Sequence, residues 1–95
     1  MATYVLICTD RPGSLALRMA TREAHLAYAR AQGDRLRLGG PILDDQGEMA
    51  GSIILYEAES LEDAQAFSAA DPYRLAGLFE RVEIHPFRVT IGQLG

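Results

Sequence analysis

Residues 3–9 read T-Y-V-L-I-C-T, β-branched and apolar without a break. A run that is apolar at every position, rather than at alternate ones, makes a strand whose two faces both need cover. In a chain of 95 residues that demand leaves few architectures open. Such a chain buries about 60–65% of its extended surface, enough for one modest core. It is read as one domain over residues 1–95.

The next segments of the chain supply part of the cover. Asp10-Arg11-Pro12-Gly13-Ser14 is turn chemistry. Residues 15–32 read as helix, with a kink or fresh start expected near Thr21, and Gly33 stops them. Leu15, Met19, Leu26 and Ala29 fall on one stripe at helical periodicity. Leu36 and Leu38 alternate with Arg35 and Arg37, which predicts a half-exposed strand near 34–39, broken at Gly39-Gly40-Pro41. Asp44-Asp45-Gln46-Gly47 is a turn, and S-I-I-L-Y-E-A at 52–58 is the next strand. Ser60 is a good N-cap for a second helix from Leu61 to about Ala70. Val82, Ile84, Phe87, Val89 and Ile91 fill a last strand interrupted near His85-Pro86.

The order β-α-β-β-α-β predicts an α+β, ferredoxin-like fold with one antiparallel four-stranded sheet. Right-handed crossovers put both helices on one face of that sheet. The other face then lacks a helix, and a homodimer packed sheet to sheet would cover it.

Composition removes several functions. The formal charge is −4, and the nine basic residues, all arginines, are spread from Arg11 to Arg88, so no nucleic-acid partner is expected. No apolar run approaches the roughly 20 residues of a membrane span, and no secretory leader is legible. Cys8 is the single cysteine and sits in the apolar run as core filler, which suits a reducing cytoplasm. No phosphate-binding glycine loop, no metal-ligand spacing around His25 or His85 and no nucleophile elbow is present, so no cofactor and no metal are expected.

Three ionisable positions remain. His25 lies about 100° round the helix from Leu26, on the rim of the buried stripe; Arg18 shares that rim, and Arg22 lies between it and the stripe. Such a histidine is either half-buried with one reachable nitrogen, or simply solvated or bound at a cap. Ala64, Phe67 and Asp71 share a face of the second helix, and Pro72 ends the regular helix at Asp71. That fixes a carboxylate beside a cleft, or makes Asp71 the plain N-cap of a following turn with proline at N1. His85, flanked by Ile84 and Phe87, reads as structural.

The segments T-R-E-A-H-L-A-Y, L-R-L-G-G-P, D-D-Q-G-E-M-A-G-S, S-L-E-D-A, A-D-P-Y-R-L-A-G-L-F and V-E-I-H-P-F stand in an order and spacing that resemble the YCII-related family, over essentially the whole chain. The resemblance implies a dimeric α+β barrel with a small cleft holding a histidine–aspartate dyad. Carried over by motif, those residues are His25 and Asp71, and Ser14, Arg22, Gly40, Pro41 and Tyr73 are expected to line or support the cleft. The family commonly has lysine where this chain has His85. The expected function is cofactor-free acid/base chemistry, of isomerase or lyase type, on a small acidic or carbonyl compound. The alternatives are a dimeric module that binds a small ligand without turning it over, and a purely structural role.

Overall fold

The continuous apolar run lies inside the sheet. In the computed structural model, which describes residues 1–92, it forms β1 (Ala2–Asp10). After it come α1 (Leu15–Ala31), β2 (Leu36–Leu43), β3 (Met49–Ala58), α2 (Leu61–Ala69), the single-turn α3 (Pro72–Leu75) and β4 (Phe79–Pro86). The strands stand in the order β2-β3-β1-β4, every neighbouring pair antiparallel. β1 and β2 are therefore parallel to each other, joined through α1 and separated by β3, which is the split βαβ plan.

The pairing register sorts the side chains by face. Tyr4 lies opposite Tyr56, Leu6 opposite Ile54 and Cys8 opposite Ser52, and these six are buried under the helices. Phe67 of α2 stacks on Tyr56 with ring centres 4.0 Å apart, and Tyr28 of α1 stacks on Phe67 at 5.4 Å. The polar ends of those aromatics are satisfied: the Tyr28 hydroxyl donates to the Phe67 carbonyl, and the Tyr56 hydroxyl to Gln32 Oε1. Alternate residues point the other way. Val5 lies opposite Leu55 and Ile7 opposite Ile53, on a face that no helix covers. Across β1 from them stand His85 and Glu83 of β4, so the open face is apolar in one half and charged in the other.

Several boundaries differ from the sequence expectation, β3 among them, which begins at Met49 rather than at residue 52. α1 is continuous through Thr21, whose hydroxyl donates to the Leu17 carbonyl 2.9 Å away, inside the helix rather than at a new start. β2 runs straight through Gly39-Gly40-Pro41, because it is an edge strand and tolerates the missing N–H of proline. β4 begins at Phe79, carries a register shift between Phe79 and Arg81 opposite Asp10 and Thr9, and ends at Pro86. Phe87 still donates to the Thr3 carbonyl at 2.9 Å, but Val89 and Ile91 lie beyond the ladder. The cap expected at Ser60 is present: its hydroxyl accepts from the Asp63 N–H.

Candidate functional site

Arg18, Arg22, His25 and Ala29 recur at i, i+4, i+7 and i+11 along α1, which places them on one helix face. That face looks onto the sheet where β1 ends, and Arg18 is its anchor. The guanidinium donates from Nε and Nη2 to the two Asp10 oxygens at 2.7 and 2.9 Å, and from Nη2 to Ser52 Oγ at 2.9 Å. Arg18 is only 2% exposed and Asp10 8%. Burial by itself would lower the proton affinity of the guanidinium, but the Asp10 hydrogen bonds and charge outweigh it and hold Arg18 above its ordinary value. A bidentate arginine–carboxylate pair with a third acceptor is the geometry in which a buried charge is tolerated.

The second wall comes from the junction of α2 and α3. Pro72 keeps Asp71 in extended geometry (φ −61°, ψ 128°) at the N-cap of α3. Asp71 Oδ1 accepts the Tyr73 N–H at 2.9 Å and lies 2.9 Å from His25 Nδ1. The Asp71 side chain is 5% exposed and that of His25 14%. An ionised carboxylate only accepts, so a neutral His25 in this contact carries its proton on Nδ1 and its lone pair on Nε2.

Tyr73 completes the wall. Its ring stacks on His25 with centres 4.0 Å apart at 16°, and Arg18 Cζ lies 4.5 Å from the ring centre. α3 closes on a Schellman motif that fixes this ring: Leu78 N–H donates to the Tyr73 carbonyl and Gly77 N–H to the Arg74 carbonyl, with Gly77 at φ +77°. Burial raises the Tyr73 phenol above its ordinary value despite the opposing Arg18 and Arg22 charges, so it stays a neutral hydroxyl near pH 7.

These elements enclose a cavity of about 390 Å³ between α1, α3 and the β2–β3 half of the sheet. One side carries Arg18, Arg22, His25, Arg30 and Tyr73; the other is built from Leu36, Met49, Ile54 and the backbone of Gly39-Gly40-Pro41. Among the described residues no cluster of His, Cys, Asp and Glu has metal-binding geometry.

The YCII-related domain model matches residues 2–88. The chain belongs to that family. Within the YCII-related proteins, Protein YciI of Escherichia coli is 41% identical over 93 residues, covering 90% of this chain and 95% of the relative. Among solved structures, the 5-chloro-2-hydroxyhydroquinone dehydrochlorinase TftG of Burkholderia phenoliruptrix, in complex with 2,5-dihydroxybenzoquinone, is 34% identical. It superposes with a TM-score of 0.84, covering 90% of this chain and 93% of that one. A NIPSNAP family protein from Agrobacterium tumefaciens shares the fold at a TM-score of 0.58 and 21% identity, covering 93% and 91%.

Of the residues singled out in this YCII-related sequence, Arg22, His25, Gly40, Pro41 and Tyr73 line the cavity. Asp71 stands behind His25. Ser14 does not line it; it precedes α1 and accepts the Arg18 N–H on its carbonyl. His85 lies on the other face of the sheet, 3.5 Å from Glu83. Sequence reading did not single out Asp10, Arg30 and Ser52, and it left Arg18 on the helix rim. The helical spacing of 18, 22, 25 and 29 was the signal available. It was overshadowed by the apolar stripe through Leu15 and Met19, yet Met19 is 51% exposed while Arg18 is buried.

Proposed function

We propose that this chain is an enzyme that moves a proton on a small acidic or carbonyl compound, with His25 as general base and acid and Asp71 as its orienting partner. The observation that carries the reading is the 2.9 Å contact between His25 Nδ1 and a buried Asp71 oxygen, beside a cavity that His25 itself lines. Nε2 removes a proton from carbon next to a carbonyl, and the electron pair moves into an enolate. Asp71 stabilises the imidazolium so formed. The proton then returns at a different carbon, an isomerisation, or the enolate expels a leaving group from the neighbouring carbon, an elimination. Loss of hydrogen chloride, the reaction named for the relative TftG, belongs to the second kind. Neither route requires a cofactor, and Arg22, Gly40, Pro41 and Tyr73 hold the substrate, with Ser14 supporting the start of α1.

The reading includes a homodimer in the cytoplasm. Val5, Ile7 and Ile53 form an apolar patch that a second copy covers face to face, giving the dimeric barrel. The buried free thiol of Cys8 suits a reducing compartment.

Two linked measurements test the chemistry. In deuterated water the protein exchanges carbon-bound protons of small oxo-acids such as levulinate, and His25→Ala slows this by about 10²–10⁴-fold. Asp71→Asn, which keeps the cap of α3 but removes the carboxylate charge facing His25, slows the same exchange. Exchange that survives His25→Ala would remove His25 as the base, and oxo-acids that bind and never exchange would leave only a binding module.

A further inference from the structure

The charges around the cavity cancel in pairs, with two exceptions. Arg18 is neutralised by Asp10, and His25 faces Asp71. Arg22 and Arg30 line the same cavity, both are exposed, and neither has an ion-pair partner among the described residues. Among the described residues no aspartate or glutamate lines the cavity. A chain of net charge −4 therefore turns two uncompensated positive charges toward this one space. Clefts lined by one sign of charge concentrate ligands of the opposite sign.

The two arginines are also spaced. Arg30 follows Arg22 by eight positions of α1, about 12 Å along the helix axis, with His25 in between. Facing them are Leu36, Pro41, Met49 and Ile54, an apolar surface suited to a hydrocarbon body. The cavity of about 390 Å³ is of the size that takes a small organic molecule.

We infer that the cavity takes a small dianion, an apolar body with an acid group at each end, one end bound by Arg22 and the other by Arg30. The middle of that ligand then lies against His25, and this last point rests on the acid/base role proposed for His25. Arg18 is not an anchor for either end, because Asp10 and Ser52 already occupy its Nε and Nη2 donors. Guanidinium suits the task at both ends, since its planar donor fork matches a carboxylate with two parallel hydrogen bonds.

Calorimetric titration of the full chain at low ionic strength with adipate and with hexanoate is the test. The two have the same number of carbons and differ in the second carboxylate. Adipate binds at least about tenfold tighter than hexanoate. Arg22→Gln and Arg30→Gln each bring adipate down to the level of hexanoate, and Arg22→Lys restores part of the difference. Both arginines are exposed, so the variants keep the fold, which their amide NMR spectra verify. Adipate that binds no tighter than hexanoate, or that ignores both glutamine variants, overturns the inference. Binding is read here without turnover. A dianion preference without proton exchange therefore sinks the acid/base reading alone, and exchange on oxo-acids without that preference sinks this inference alone.

Discussion

One oxygen of Asp71 meets two partners, and this dissolves the choice posed by the Asp-Pro step. The residue does cap α3, and the geometry that makes it a cap also aims it at His25. Asn can still cap but carries no charge, which is why Asp71→Asn separates the two roles. Arg18 shows the other side of residue-scale design. Replacing it with methionine leaves Asp10 as a buried, unpaired carboxylate, and the expected cost is about 3–5 kcal/mol in urea unfolding. Adding Asp10→Leu to Arg18→Met recovers most of that loss, because an apolar pair needs no compensating charge; if the double variant is as unstable as the single, the ion pair is not what ties α1 to the sheet. Cys8 has the opposite character: burial, with the Asp71 charge second, pushes its thiol up to about 12, so it stays protonated and serves as packing.

At the scale of elements, the site depends on two glycines for different reasons. Gly77 lies at φ +77°, where a side chain is strained, and it closes the turn that holds the Tyr73 ring. Gly77→Ala is expected to cost about 1–2 kcal/mol, seen as a lower urea midpoint at unchanged m-value. Gly51 is fixed by crowding instead: a Cβ there would run into the Cys8 carbonyl oxygen, next to the strand position from which Ser52 reaches Arg18. The amphipathic pattern of α1 misled for a related reason. Periodicity counts apolar residues, but a helix buries whichever face finds partners. Here Arg18 found Asp10 and Ser52, while Met19 at the next position stayed exposed.

At the scale of the molecule, the sheet face away from the helices carries the side chains on which the dimer proposal rests. Val5, Ile7 and Ile53 lie together there beside Leu55, and Ile53 is 41% exposed while Leu55 is only 7%. Under the dimer proposal, sedimentation gives twice the chain mass, and Ile53→Arg shifts the protein to monomer by placing a charge at the centre of the apolar patch. A wild-type protein that sediments as a monomer at working concentration would remove the barrel from the functional reading. No helix among the described residues is long and apolar enough to cross a membrane.

The sequence by itself determined the order of elements, since a continuous apolar run, helical periodicity and turn residues are local signals that survive without their neighbours. It determined the cap at Ser60 and the break at Pro72 for the same reason, because both are set by one or two residues. Motif resemblance singled out His25 and Asp71. Only the tertiary structure brought them together across 46 positions. The folded chain also decided that Arg18 is buried and that Arg22 and Arg30 flank one cavity with no acid lining it among the described residues. Those facts depend on which charge meets which, and a charge finds its partner through the fold, at separations the chain sequence does not encode locally.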